Sequence, residues 1–333
     1  MSQCITYSPA YTLVPTYECF NHCSYCNFRV QPGGDDWLQL AQARSQLDRL
    51  DAIEILILSG EVHPDSPRRH SWIERIYALC QLAIDQGFLP HTNAGPLGFE
   101  EMTRLKRVNV SMGLMLEQLT PRLLDTVHRH APSKRPEIRL QQLLWAGELQ
   151  IPFTTGLLLG IGETTADWEE TLVAIAALHQ KYHHIQEVIL QPHQPGERQV
   201  SPGTPCDDTM LLASVRLARS ILPDTIVIQI PPNLVRSPQM LIACIDAGAR
   251  DLGGIGPWDE VNPTYPHQTL ETLTALLEAH GYSLSPRLPL YPQYDDWLTR
   301  ALQKKVQPWR ARLDLRGTKP RWNQTAVTNR LKS

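Results

Sequence analysis

Short apolar runs alternate with amphipathic stretches along almost the whole chain, and this alternation limits the possible folds more than any other feature. Strand-like runs fall at Thr12–Glu18, Ala52–Ser59, Leu89–Asn93, Val108–Leu116, Pro152–Leu159, Glu187–Gln191, Ile226–Ile230 and Asp251–Ile255, eight in all. Runs such as Ile55, Leu56, Ile57 and Leu58 show no polar face, the pattern of parallel strands covered on both sides. Helical spacing fills the intervals. Trp37, Leu40, Leu47 and Leu50 recur on one face behind the candidate caps Asp35 and Asp36. Ser71–Gln86 closes at Gly87, Thr269–His280 at Gly281, and Ser237-Pro238 opens a helix that closes at Gly248. Eight strand–helix alternations over about 270 residues match an α/β fold of the (β/α)8 TIM-barrel type.

An open doubly wound sheet is the competing arrangement, but no G-x-G-x-x-G phosphate turn follows the first strand. Its place is taken by Glu18-Cys-Phe-Asn-His-Cys-Ser-Tyr-Cys-Asn-Phe28, a C-x3-C-x2-C triplet at the end where a barrel builds its catalytic face. Cys19, Cys23 and Cys26 can wrap one side of an iron–sulfur cube and leave one iron open to a ligand. A zinc site is the alternative. It needs four ligands and would have to recruit His22, since no second Cys/His pair is present.

Composition narrows the partners. A net charge of −3 and a pI near 6.5 offer no basic surface, so nucleic acid is not expected. No apolar run reaches membrane-helix length and the N-terminus carries no secretory pattern, so a cytoplasmic protein is expected, with no membrane partner. The remaining cysteines, Cys4, Cys80, Cys206 and Cys244, are expected to be unpaired, with Cys80 and Cys244 as small core residues. The barrel is expected over residues 1–293. Residues 294–333 read as a C-terminal helix near Tyr294–Lys305 and a basic tail, with nine Lys/Arg against Asp314 alone in the last thirty residues.

The cysteine spacing, with Tyr25 before the third cysteine, resembles the radical S-adenosylmethionine superfamily. The resemblance implies that Cys19, Cys23 and Cys26 hold a 4Fe-4S cluster whose open iron is chelated by S-adenosylmethionine. Reductive cleavage then gives methionine and a 5′-deoxyadenosyl radical. Further positions follow from it. Ser59-Gly60-Glu61 stands where the superfamily binds the methionine amino group. Glu117, closing the fourth strand, resembles the acid that contacts the ribose or amino group. Gly156, Gly160 and Glu163 fit a G-x-x-x-G-x-x-E pattern in which the glycines admit the adenine and the glutamate orders the loop. Asn93 and Gln191 are expected beside the cofactor. With His91, His193, Gln229, Asn233, Asp259 and Asn262 they form a ring of mostly neutral groups, suited to a pyrimidine-dione and a polyol and short of cations for phosphate.

At finer grain the chain resembles the CofG-type family, the cluster-containing subunits of 7,8-didemethyl-8-hydroxy-5-deazariboflavin synthase. The shared blocks include Cys23-Ser-Tyr-Cys-Asn-Phe28, His91-Thr-Asn-Ala-Gly95, Ser111-Met-Gly-Leu-Met-Leu-Glu117, Pro231-Pro-Asn-Leu234 and Asp251-Leu-Gly-Gly254. This resemblance implies a lyase that closes the deazaflavin ring of a tyrosine–diaminouracil adduct with loss of ammonia. It implies a small-molecule substrate made by a CofH companion subunit, a transient complex with that subunit, and a low-potential donor, ferredoxin or flavodoxin. Other small-molecule enzymes of the superfamily, of biotin-synthase or menaquinone-pathway type, are the alternative, and a non-catalytic iron–sulfur or zinc scaffold is the alternative from another class.

Overall fold

The computed structural model describes residues 3–199 and 205–315. Eight parallel strands close on themselves: β1 (Gln3–Leu13), β2 (Glu54–Leu58), β3 (Leu89–Asn93), β4 (Ser111–Gly113), β5 (Phe153–Leu159), β6 (Ile185–Pro192), β7 (Val227–Gln229) and β8 (Asp251–Ile255). The barrel shuts where Thr6 of β1 pairs with Asp251 of β8 and Ala10 of β1 with Glu54 of β2. Helices α1 (Leu40–Leu47), α2 (Arg69–Asp85), α3 (Phe99–Leu105), α4 (Pro136–Glu148), α5 (Thr165–Tyr182), α6 (Asp208–Ile221), α7 (Pro238–Asp246) and α8 (Leu270–Ala279) form the outer layer. Between the layers lies one core, with Ile55, Ile57, Trp72, Ile76, Leu143, Phe153, Leu172 and Ile228 buried. None of the helices is long and apolar enough to cross a membrane among the described residues.

Two expectations are corrected. The first strand is Gln3–Leu13 rather than 12–18, and the cysteine loop therefore begins after a short connector. Polar Thr6 and Ser8 and the proline Pro9 disguise the strand. Pairing outweighs that composition, because β1 alone contacts β2, β8 and a ninth strand, with a register shift between Thr6 and Ser8. The helix expected from Trp37 starts only at Leu40. Asp35 turns back instead, accepting from Tyr17 N at 2.7 Å and Thr16 Oγ1 at 2.9 Å. Ser237 caps α7 as expected, and Thr269, expected inside its helix, caps α8 instead, each accepting a backbone N–H from three residues on.

The ninth strand, β9 (Tyr282–Pro286), runs parallel to the first half of β1. Beyond it, residues 287–290 cross the N-terminal end of the barrel and seal it. Arg287 N donates to Tyr7 O, Leu288 and Leu290 are buried, and Pro289 O accepts from Gln186 Nε2 at 3.1 Å and from Ser111 Oγ. The Arg287 guanidinium points inward, Nε to Asp251 Oδ2 at 2.6 Å and Nη2 to Oδ1 at 2.8 Å, and it also pairs with Glu187. A 3₁₀ turn (Pro292–Trp297) and helix α9 (Arg300–Leu315) follow. Lys305 Nζ donates to Ile84 O at 3.2 Å and Trp309 Nε1 to Gly87 O at 2.9 Å, which fastens α9 under α2. Tyr294, Leu298, Leu302 and Val306 join the barrel's own core. The basic tail past Leu315 lies outside the described residues.

Removing one partner of a buried ion pair leaves an uncompensated charge and costs about 3–5 kcal/mol. Arg287→Met strands two buried carboxylates, so thermal denaturation at pH 7 should show a loss of that size. Because the Glu187 carboxyl, already raised by burial, can then take up a proton, the deficit should shrink as pH falls toward 5.

Candidate functional site

The cysteine loop is closed at its neck by backbone bonds: Cys19 N donates to Val30 O at 3.1 Å and Val30 N to Tyr17 O at 2.9 Å. The Glu18 carboxylate, 3% exposed as a residue, spans the neck. It accepts from Gly33 N at 2.7 Å and Trp37 Nε1 at 3.1 Å and pairs with Arg68 at 2.7 Å. Gly60 fits here because it has no side chain: a Cβ would stand 2.1 Å from Glu18 O. Its own N–H reaches Thr16 O at 2.8 Å, so Gly60 joins the end of β2 to the loop.

Glu61 works in the same joint. Its carboxylate accepts from Asn21 Nδ2 at 2.8 Å, from Ser133 Oγ, and from Arg139 Nη2 at 3.2 Å. His22 N and Ser24 N donate to His130 O and Val127 O, so residues 127–134 form a wall against the cysteines. All three thiols are free of disulfides. Cys23 is buried, and Cys19 and Cys26 are partly exposed. Burial pushes the Cys23 thiol up to about 12. Burial, with Glu61 nearby, pushes that of Cys19 up to about 11. Such thiols hold their protons until a metal displaces them. Among the described residues no three His, Cys, Asp or Glu side chains converge on a point where one ion could sit. A cube does not require that convergence, because each thiolate binds its own iron. The donor set therefore fits a cluster better than a single zinc.

Cys26 opens onto a cavity of about 220 Å³ at the C-terminal end of the barrel, lined also by Tyr25, Ser59, Glu61, Asn93, Glu117, Lys134, Arg139, Gln191 and His193. A second cavity of about 210 Å³ lies in the lumen below it. Leu58, Asn93, Met115, Gln191 and Val261 line both, so the two cavities adjoin. Glu117 points inward, not to the helical layer. It holds a left-handed backbone, φ +66°, anchored by its N–H to Gly156 O at 3.0 Å, and its carboxylate pairs with Lys134. Burial works to raise its pKa, but Lys134 and Arg139 outweigh that and hold it below the usual carboxylate range. A left-handed non-glycine residue at a cavity wall is strain of the kind found at functional sites.

Four of the eight expected cofactor residues thus share the upper cavity: Glu61, Asn93, Glu117 and Gln191. The other four stand behind it. Gly60 joins the loop to β2. Gly156 lets β5 lie close to β6, since a Cβ there would meet Ile189 O at 2.3 Å. Glu163 orders the turn after β5, accepting from Gly160 N at 2.7 Å, Ile161 N at 2.8 Å and Trp168 Nε1 at 3.0 Å, and Gly160 bends there at φ +91°. Sequence reasoning did not find Lys134 and Arg139. Both are buried cations in the cavity wall, and in the sequence Lys134 had only a polar loop segment around it.

The Radical SAM superfamily model matches residues 13–175. A 7,8-didemethyl-8-hydroxy-5-deazariboflavin synthase of Trichormus variabilis is 65% identical over 308 residues, 92% of this chain and 91% of that protein. One of Trichodesmium erythraeum is 58% identical over 318 residues, 95% and 100% of the two chains. Among solved structures, the FeFe-hydrogenase maturase HydG from Carboxydothermus hydrogenoformans aligns with a TM-score of 0.66 at 18% identity, covering 91% of this chain and 70% of that one. Methylornithine synthase aligns with a TM-score of 0.64 at 13% identity, covering 85% and 84%. These two likenesses concern the fold. Fold, cysteine loop and family model together define a radical S-adenosylmethionine barrel enzyme. Within that class the chain belongs to the 7,8-didemethyl-8-hydroxy-5-deazariboflavin synthase family, whose superfamily works with a 4Fe-4S cluster and S-adenosylmethionine.

Lys134 and Glu117 compensate one another in the wall. Glu117→Gln and Lys134→Met should each lower stability by about 3 kcal/mol, whereas the double substitution should lose less than their sum. Denaturant titration of the four proteins checks this. Additive losses would show that the pair is not coupled.

Proposed function

We propose that the chain forms 7,8-didemethyl-8-hydroxy-5-deazariboflavin from 5-amino-5-(4-hydroxybenzyl)-6-(D-ribitylimino)-5,6-dihydrouracil, with S-adenosylmethionine consumed to methionine and 5′-deoxyadenosine and the amine released as ammonium. The observation that carries this reading is the adjacency of the two cavities, one opening on Cys26 and the other lined by amides, within a chain so similar to synthases of that name. Cys19, Cys23 and Cys26 would hold the 4Fe-4S cluster. When bound, the cluster supplies the electron that cleaves the sulfonium. Asn93, Glu117 and Gln191 would bind the polar groups of S-adenosylmethionine. Glu61 would face its amino group while fixing Asn21. Gly60, Gly156, Gly160 and Glu163 would shape the strand ends around it. A CofH companion would supply the adduct, in a transient complex or through solution, and a ferredoxin or flavodoxin would supply the electron. The chain must exclude water and hold one C–H near the cleaved cofactor, since a primary radical attacks whatever lies nearest.

Anaerobic reconstitution with iron and sulfide should give 4Fe-4S absorbance. Release of 5′-deoxyadenosine should then rise sharply with the adduct, not with dethiobiotin or tyrosine, and the product should fluoresce as a deazaflavin. Alanine at Cys19, Cys23 or Cys26 should abolish absorbance and cleavage, while Cys80→Ala should spare both. Glu117→Gln should weaken S-adenosylmethionine binding about tenfold with iron content unchanged, as expected for a lost charge-assisted bond. Full activity in Cys23→Ala would sink the cluster assignment, and a sulfur-containing product would sink the substrate assignment.

A further inference from the structure

The bottom of the lower cavity is charged, and nothing in the reaction above uses it. Glu54 of β2, His91 of β3, Glu187 of β6 and Arg287 line it. The guanidinium is already committed, to Asp251 by two hydrogen bonds and to Glu187 by an ion pair. Among the described residues no ion pair reaches Glu54, whose residue exposure is 8%. Glu187 keeps its second oxygen on Thr154 Oγ1 at 3.0 Å. The floor's one guanidinium is thus fully committed, and the carboxyls of Glu54, Glu187 and Asp251 outnumber it.

Above the floor the same cavity changes character. Asn93, Gln191 and Gln229 line it, and their amides have no side-chain hydrogen-bond partner among the described residues, although Gln229 is only 9% exposed. Gln229 is buried and Asn93 and Gln191 are half-buried, and amides turned into a cavity without protein partners are free to receive a ligand. An amide offers a donor and an acceptor side by side, which suits the alternating N–H and C=O of a dihydrouracil. Acceptor-rich carboxylates suit a polyol, which brings a hydroxyl donor on nearly every carbon. From Leu58, shared with the upper cavity, to Glu54 at the floor, β2 spans about 13 Å. A substrate whose reacting carbon lies under the upper cavity thus reaches the floor with its far end.

We propose that Glu54, Glu187 and Arg287 form the subsite for the substrate's ribityl chain and that their charge selects the unphosphorylated chain. This rests on the function given above. A terminal phosphate would enter a buried floor whose arginine is already paired and whose other groups are carboxyls and the buried His91 ring, and like charges brought together at a buried contact cost several kcal/mol.

The product deazaflavin keeps the ribityl chain, and its fluorescence reports binding to the full chain after anaerobic reconstitution of its cluster. Three probes decide the matter: the product, the product phosphorylated on the terminal ribityl hydroxyl, and an analogue with methyl in place of ribityl. The wild-type chain should bind the product about 100-fold more tightly than its phosphate. Glu54→Gln should cut that ratio below about tenfold while leaving affinity for the methyl analogue unchanged. Each ratio is taken within one preparation, so partial unfolding cannot imitate the effect. If Glu54→Gln does not fold by circular dichroism, Glu187→Gln carries the same expectation. Equal wild-type binding of product and phosphate, or a ratio untouched by the substitutions, overturns the subsite. A wild-type chain that binds none of the probes and does not convert the adduct overturns the function instead, and the subsite with it.

Discussion

The cysteine loop depends on one buried carboxylate. Glu61 receives Asn21 from the loop, Ser133 from the wall opposite and Arg139 from α4, and its backbone O receives Phe20 N at 3.0 Å. The cysteine loop and the 133–139 stretch, distant in sequence, therefore share one acceptor group at the end of β2. Hydrogen bonds to an ionised acceptor are roughly twice as strong as neutral ones, and in a buried setting a missing partner would leave the charge exposed to low dielectric. Each segment thus has a stake in the other being in place. The same carboxylate lines the cavity beside Cys26, so the group that shapes the cysteine loop also forms part of the cofactor's wall.

Most of this architecture can be read from the sequence, because its main signals are local. Short strand-like runs, several of them continuously apolar, marked seven of the eight barrel strands, and Ser237 and Gly87 marked helix ends through conformations that only certain residues favour. The cysteine triplet is also local, and it announced the site. What escaped was set by distant pairing. The polar β1 is a strand because β2, β8 and β9 all bond to it. Asp35 does not cap α1 because the cysteine-loop neck offers it Thr16 and Tyr17. Lys134 and Arg139 had no periodic or motif signal. They become legible only once the fold carries them to Glu117 and Glu61.

The eight expected cofactor residues divide by the same logic. Side chains that can reach a ligand, Glu61, Asn93, Glu117 and Gln191, end up in the cavity. The glycines end up where backbone must approach backbone. A motif containing glycine marks close approach, but it does not say of what: at Gly60 the neighbour is the Glu18 carbonyl, and at Gly156 it is the Ile189 carbonyl. Glycine in such a motif is therefore evidence of shape before it is evidence of contact with a cofactor.

Barrels of this class usually divide their labour, with chemistry at the C-terminal ends of the strands and stability at the N-terminal ends. Here the lower end is closed by a polar device, Arg287 held by Asp251 and Glu187, where an apolar plug such as Leu288 and Leu290 alone would have sealed it without desolvating charge. Replacing buried ion pairs by apolar residues is often neutral or stabilising, so stability by itself does not account for the choice. Burial raises the carboxyls of Glu54 and Glu187, the latter to about 7, even with Arg287 beside them. These groups face an open cavity rather than packed side chains. A costly charge kept at the blind end of a cavity is explained by what the cavity must hold, and the lumen's lower end therefore belongs to recognition as much as to the scaffold.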